Sequence, residues 1–361
     1  CQDFDGNVTQ YWERYGDEFE QVARKLEAKR VDSFLYNQEL KERVRERVEE
    51  SLKQLSSDGL DLLCRSAVYR RPVPQTFWQA MLWEHTPKQQ QDAYSLLRNR
   101  TLIEKEGTIK RQDIIRQHNL IRDIAYDLLR QDSFTWETAE RKATEMWLSA
   151  YEPASNAPNL EKVRGYVEAF HHYCEVGDWI EAAKIISTPL SSSNEEVHNQ
   201  LQIWGYYREQ IWLYNKLLGK LPPFIEFLFL GNLGLAYFYL SNYSQAIECH
   251  RQHLTIASKI KNRQGEGIAL LHLGNIYSCL GNHPQAIECY EQTLTIAREI
   301  NDKQLEGNAL GGLGLACCSL GNYCQAIKHH RRHLRIANKM QDEEGKGVAL
   351  DSLGLVYARL G

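Results

Sequence analysis

From about Phe227 to Gly361 the chain repeats itself every 40 residues, and this period constrains the fold more than any other feature. Gly231-Asn232-Leu233-Gly234-Leu235-Ala236-Tyr237 returns as Leu271-His272-Leu273-Gly274-Asn275-Ile276-Tyr277, then as Gly311-Gly312-Leu313-Gly314-Leu315-Ala316-Cys317, then as Asp351-Ser352-Leu353-Gly354-Leu355-Val356-Tyr357. A fixed period of this length marks a solenoid: each repeat is one small unit whose apolar face is buried only by its neighbours. Such an array displays a surface and rarely performs chemistry.

At 361 residues the chain is too long for one ordinary core, so two or three domains are expected. A net charge of −4 gives no overall attraction to nucleic acid or to an anionic membrane. Nine cysteines include no C-x-x-C pair, which fits a reduced, cytoplasmic setting. No apolar run reaches membrane-spanning length, and no signal peptide is visible. The first residue is Cys1 rather than Met, and Gly361 falls where a helical hairpin should turn, so the sequence reads as a section of a longer chain.

Residues 1–55 read as a helical segment, with an amphipathic stripe from Val8 to Leu26 and another from Phe34 to Leu55. Residues 56–130 read as a winged-helix domain. Ser56 caps a helix that continues through Val68, Arg71-Pro72-Val73-Pro74 breaks it, and Gln75–Trp83 is a short helix. Thr86-Pro87-Lys88-Gln89 has the spacing of a capping box and opens a helix to Arg98. Leu102–Glu106 and Ile109–Arg116 read as strands around a turn at Gly107-Thr108, and Asn119–Leu129 closes the module as a helix. Residues 131–226 read as diverged helical hairpins, including Asn159–Cys174 paired with Ile180–Ser187. Residues 227–361 are the regular repeats, the last one truncated. The fold class is therefore mostly α: a helical segment, a winged helix and an α-solenoid.

Gly in a helix interior costs about 1 kcal/mol relative to Ala, yet Gly234, Gly274, Gly314 and Gly354 recur in phase. Close approach of the partner helix offsets that cost, with Ala246, Ala286 and Ala326 as the expected small contacts. Asn242, Asn282 and Asn322 are expected to follow or replace a helix-ending Gly, where left-handed backbone geometry is tolerated. His250, His253, His330 and His333 recur on the second helices. Two imidazoles on one face are too few for a metal site, so packing is the preferred reading, with a pH-sensitive basic patch near Arg331-Arg332 as the alternative.

With Leu273, Gly274 and Tyr277 on one helix and Ala286, Ile287, Leu294 and Ala297 on the next, the unit resembles the tetratricopeptide repeat in a 40-residue form. That resemblance places a partner-binding groove along the first helix of each hairpin. Here it would be lined by Leu228, Gly231, Leu235, Phe238, Tyr239, Ile268, Leu271, Asn275, Ser278, Cys279, Asn308, Leu315, Cys318 and Ser319. Only Asn275 and Asn308 are suited to holding a peptide backbone, so an apolar protein or peptide segment is the expected partner.

Arg116-Gln117-His118-Asn119 resembles the M-H-D segment of the NB-ARC class of signal-transduction NTPases, also called STAND proteins, with Gln117 in place of the Met and Asn119 in place of the Asp. That resemblance implies a nucleotide-binding domain upstream, a relaying winged helix and a sensor of repeats. It also implies that His118 contacts the β-phosphate of bound ADP. No G-x-x-x-x-G-K-[ST] phosphate loop occurs in these residues, so neither ATP binding nor enzymatic activity is expected of them alone. ADP or ATP would belong to the longer protein, whose own nucleotide domain would be a partner of the repeats. The alternatives are a non-switching scaffold and a DNA-binding regulator using Thr86–Arg98, with Lys88, Arg98 and Arg100 on phosphates. Nucleic acid and membrane are not the expected partners.

Overall fold

The computed structural model describes residues 33–109, 112–154 and 156–360, apart from the side chains of 33–41, Val44 and Ile109. The Val8–Leu26 stripe lies outside the described residues. The chain divides into two compact units, Cys1–Ile186 and Ser187–Gly361.

In the first unit, α1 (Ser33–Leu52) leads into α2 (Ser57–Ser66), whose N-cap Ser56 accepts a hydrogen bond from the Gly59 amide at 3.3 Å. Then come β1 (Val73–Pro74), α3 (Gln75–Ala80), α4 (Pro87–Asn99), β2 (Ile103–Ile109), β3 (Gln112–Gln117) and α5 (Asn119–Leu129). The expected capping box of α4 is present: Thr86 accepts from the Gln89 amide, and the Gln89 side chain accepts from the Thr86 amide. The sheet is antiparallel in the order β1-β3-β2. Leu62, Leu63, Phe77, Trp78, Leu97, Ile115 and Ile124 fill the core beneath it.

Two expectations need correction here. Gly107 does not turn the hairpin. It lies inside β2 beside a register shift: Lys105 pairs with Ile115 and Gly107 with Ile114. An extra residue on one strand is a bulge, which Gly accommodates without a side chain to misplace. Val73-Pro74, read as a break, is also a third strand, with Val73 opposite Ile115. Pro is tolerated there because β1 is an edge strand.

The same unit includes α6 (Ser133–Ser149), α7 (Asn159–Lys162), α8 (Arg164–Glu175) and α9 (Trp179–Ile186). The helix expected over 159–174 is interrupted at Val163. α8 then approaches α6 so closely that a Cβ on Gly165 would lie 2.6 Å from the Trp147 carbonyl oxygen. Buried charge joins these helices to the winged helix. Glu168, 1% exposed, accepts from Arg70 Nε and Arg71 Nε at 2.8 Å each, and Arg164 Nη1 lies 3.8 Å away. Glu140 accepts from Tyr126 Oη at 2.8 Å and meets His172 Nδ1 at 2.6 Å.

The second unit stacks helices in sequence: α10 (Val197–Ile203), α11 (Tyr207–Leu217), α12 (Pro223–Tyr239), α13 (Tyr243–Lys259), α14 (Arg263–Cys279), α15 (His283–Glu299), α16 (Lys303–Ser319), α17 (Tyr323–Met340) and α18 (Glu343–Leu360). In the turns within the repeats the asparagines follow the left-handed residue instead of replacing it. The left-handed positions are Ser241, Gly281 and Gly321, with φ of 59°, 73° and 77°. Asn242, Asn282 and Asn322 follow at negative φ as N-caps, and the first two accept from the amides of Gln245 and Gln285. The short amide side chain serves the next helix's free N–H groups instead of relieving backbone strain.

Candidate functional site: the repeat face and His118

Three of the four in-phase glycines face aromatic rings, while a Cβ on Gly354 would meet nothing within 4 Å. A Cβ on Gly234 would lie 2.6 Å from His250 Nε2, one on Gly274 would lie 2.6 Å from Tyr290 Cε1, and one on Gly314 would lie 2.3 Å from His330 Cε1. Each glycine thus admits the ring sixteen positions later. Ala246, Ala286 and Ala326 are fully buried.

Tyr290 shows the logic most fully. A Cβ on Gly312, in the following repeat, would lie 2.5 Å from the same ring. One aromatic side chain therefore sits between glycines of two successive repeats. Its hydroxyl donates to Asn275 Oδ1 at 2.8 Å. In the preceding repeat His250 takes the place of Tyr290 and stacks on His272, with centroids 4.8 Å apart and planes 20° apart. His272 occupies the sequence position that Gly312 has one period later.

A second size relationship runs through His253 and His333. A Cβ on Gly231 or on Gly311 would lie 3.3 Å from the corresponding imidazole. The middle repeat has Leu271 and Thr293 at those two positions. The recurrent histidines are therefore packing residues. His250 and His330 are fully buried, and neither ring nitrogen of either has a partner. Burial pushes the His250 imidazole down to about 2, helped by His272 and His253, and pushes His253 and His330 down to about 4. Among the described residues no group of three His, Cys, Asp or Glu side chains could hold a metal.

The expected groove residues fall into three sets. Leu228, Tyr239 and Leu315 are 60%, 50% and 43% exposed, and Asn308 is exposed as well. Leu235, Phe238, Ile268, Leu271, Asn275 and Ser278 are half-buried. Cys318 differs: at 3% exposure it packs with Cys317, Ala326 and Val356, so it lies beneath the surface and must be removed from the groove. Tyr239 stacks on Tyr207 at 4.9 Å with planes 19° apart. A cavity of about 220 Å³ is lined by Leu235, Phe238, Tyr239, His250, His272, Asn275 and Ile276. Sequence reasoning placed Leu235, Phe238, Tyr239 and Asn275 together but missed His250 and His272 beside them. The signal available was the Gly234-to-His250 spacing.

In the first unit His118 is exposed and is the N-cap of α5, accepting from the Leu120 amide through Nδ1 at 3.4 Å. A neutral imidazole that accepts at Nδ1 carries its proton on Nε2. Its neighbour Gln117, in the Met position of the resemblance, is buried and donates to the Leu63 carbonyl. At the end of α4, Arg98 lies 3.5 Å from Asp113, and Arg100, the residue after the helix, donates through Nη1 to the Gln54 carbonyl, so two of the three proposed phosphate contacts already have partners within the unit.

Comparison with known proteins supports the repeats. Residues 227–299 and 309–344 match profiles of the tetratricopeptide repeat. No curated protein sequence matches the chain. Among solved structures, similarity extends to a signal-transduction ATPase with numerous domains (STAND) from Pyrococcus horikoshii that carries a tetratricopeptide repeat sensor. It is 18% identical with a TM-score of 0.42, over 86% of this chain and 49% of that one. Aspartyl phosphate phosphatase F from Bacillus subtilis is 14% identical with a TM-score of 0.41, over 88% of this chain and 78% of that one. The chain thus spans about half the length of the first of these structures. No described helix is long and apolar enough to cross a membrane. The chain carries a winged-helix module and tetratricopeptide repeats, a repeat type whose general role is protein interaction.

Proposed function

We propose that the second unit binds a protein or peptide partner along its first helices, and that the first unit relays this binding to a nucleotide domain encoded upstream of Cys1. The observation that carries the binding half is the run of exposed apolar side chains at Leu228, Tyr239 and Leu315, beside half-buried Leu235 and Asn275. Exposed apolar side chains on the first helices offer contact area that the chain itself leaves unused. The test compares Leu228→Asp and Leu315→Asp with an outer-face control, Glu288→Lys, in binding to a co-purifying protein. Loss with both aspartates and retention with the control supports the groove. Equal binding by all variants refutes it.

The relay half rests on His118. Its cap leaves an exposed Nε2–H donor, and a hydrogen bond to a charged phosphate contributes about 1.5–3 kcal/mol. In the protein extended upstream, His118→Ala should accelerate ADP release about tenfold or more. Unchanged release removes the nucleotide-sensing role and leaves a non-switching scaffold. The DNA-binding reading is disfavoured by the internal partners of Arg98 and Arg100.

A further inference from the structure

A cavity of about 320 Å³ opens where α15, α16 and α17 meet, and it shares no residue with the groove of the first helices. Arg298, Lys303, Arg332, Arg335 and Lys339 line it, with Glu306 as its one carboxylate. Glu306 is buried and already taken: it accepts from Arg298 Nε and from Lys303 Nζ at 2.9 Å each. Arg332, Arg335 and Lys339 have no ion-pair partner among the described residues. Leu310 and Ile336 form an apolar part of the wall, which weakens solvent screening of the charges beside it.

The same place one repeat earlier is a control within the chain. There Arg263 pairs with both Glu266 and Glu299, and Gln292 and Thr295 line the cavity. Forty residues on, Glu299 becomes Lys339, so the position that gives Arg263 its carboxylate gives Lys303 a second cation. Gln292 and Thr295 become Arg332 and Arg335. Gln252 and Gln292 each donate to a glutamate four residues back, Glu248 and Glu288, whereas the residue four before Arg332 is Lys328. All of these matched positions change toward positive charge. A helix C-terminus favours cations in its last turn, which accounts for Arg298 and Lys339. Arg332 and Arg335 lie before the last turn of α17 and have no such reason to be basic.

Cations gathered in this way repel one another unless an anion joins them. Guanidinium forks match the oxygens of a carboxylate or a phosphate. A phosphoryl group sets up to about two negative charges and three acceptor oxygens on one atom, which answers a compact cluster better than the single charge of a carboxylate. A cavity of about 150 Å³ holds a benzene molecule, so this one admits two or three linked phosphoryl groups. We infer that the cavity binds a compact polyphosphate, free or carried by a nucleoside, through Arg332, Arg335 and Lys339. The site is separate from the groove and does not depend on it.

Calorimetric titration at about 0.1 M salt tests this, because charges more than about 10 Å apart are then largely screened and the local cluster is read. Tripolyphosphate, ATP without divalent metal, and an oligo-aspartate peptide are each titrated into the chain. Saturable binding of a polyphosphate, about tenfold or more tighter than the peptide, is expected. A preference for ATP over tripolyphosphate assigns a nucleotide, and no such preference assigns a free polyphosphate. Arg332→Gln with Arg335→Thr, which restores the residues of the preceding repeat, should weaken binding about tenfold or more. Lys339→Glu, which gives Lys303 the carboxylate that Arg263 has, should do the same. Lys216→Gln with Lys261→Gln removes charge from exposed positions outside the cavity and should change nothing. No saturable binding of either polyphosphate overturns the inference, as does equal weakening in that control. Peptide binding as tight as polyphosphate binding also overturns it and makes the cluster a site for an acidic protein segment.

Discussion

The two units solve the problem of close packing differently. In the first, specificity comes from buried charge: Glu168 with Arg70 and Arg71, and Glu140 with His172 and Tyr126. In the second it comes from shape: Gly234, Gly274 and Gly314 admit His250, Tyr290 and His330. Buried ion pairs contribute little net stability but penalise strongly any arrangement that separates them. A ring set into a glycine is unforgiving in another way, since it tolerates neither a larger neighbour nor a smaller ring. The first unit is therefore expected to be sensitive to loss of charge, and the second to changes of a single methyl group.

The largest effect should follow from Glu168→Ala. It removes the buried acceptor shared by Arg70 and Arg71, whose own side chains reach solvent, so the loss is that of charge-assisted hydrogen bonds, about 1.5–3 kcal/mol. In urea denaturation the transition of the first unit should move while that of the second stays in place. Coincident movement of both would show that the division of labour is wrong.

Acid should act on the second unit. The His250, His253 and His330 imidazoles have folded values below the ordinary one, so the unfolded chain binds more protons as pH falls. Their stabilising contribution is complete above about 6.5 and declines below it, down to the folded values. Between pH 7 and pH 5 each should account for about 2 kcal/mol. The groups acting on His330 are His333 and His329, with no carboxylate among them. Replacement by Phe, which cannot titrate, should remove its share of the pH dependence. A pH profile unchanged in His330→Phe would show that this imidazole does not titrate on unfolding.

Gly314→Ala tests shape directly. The added methyl gains about 1 kcal/mol of helix propensity but meets the buried His330 ring, and overpacking costs about 1–3 kcal/mol. A net loss of up to about 2 kcal/mol is expected. In a His330→Ala background the same substitution should become stabilising. Denaturation of the four proteins of this cycle decides the matter, and an unchanged sign would show that the glycine is not there for the ring. The smallest effect should come from His118→Ala, which loses an N-cap worth about 1 kcal/mol or less and should leave the unfolding of the second unit unaltered.

Much of the fold was legible because local chemistry and global packing agree. Thr86 and Gln89 announce their helix, and the 40-residue period announces the solenoid. The errors occur where distant residues decide. Nothing next to Gly107 or Val73 says that Ile114 and Ile115 will pair with them. Glu168 lies far along the chain from Arg70 and Arg71 and looks like any other helical carboxylate. The groove was partly legible, since Leu235, Phe238, Tyr239 and Asn275 follow from their phase. The polar lining was not, because His250 belongs to the second helix and reads as an ordinary packing residue until its ring is found beside the cavity. Cys318 was misplaced for the opposite reason: its phase matches the groove, yet α18 and Ala326 supply neighbours that bury it.

The fit of Tyr290 between Gly274 and Gly312 has a consequence for how such an array can change by recombination. The repeats are similar enough in sequence for copying and deletion to occur in whole 40-residue cassettes. Their junctions are not interchangeable. Duplicating the cassette that contains both His272 and Tyr290 would set the tyrosine ring against an imidazole where it now meets a glycine. Deleting that cassette would set His250 against Gly312 and leave a void. The order of the repeats is thus fixed by the residues at their seams, and a cassette could be gained or lost only together with compensating changes in its neighbours.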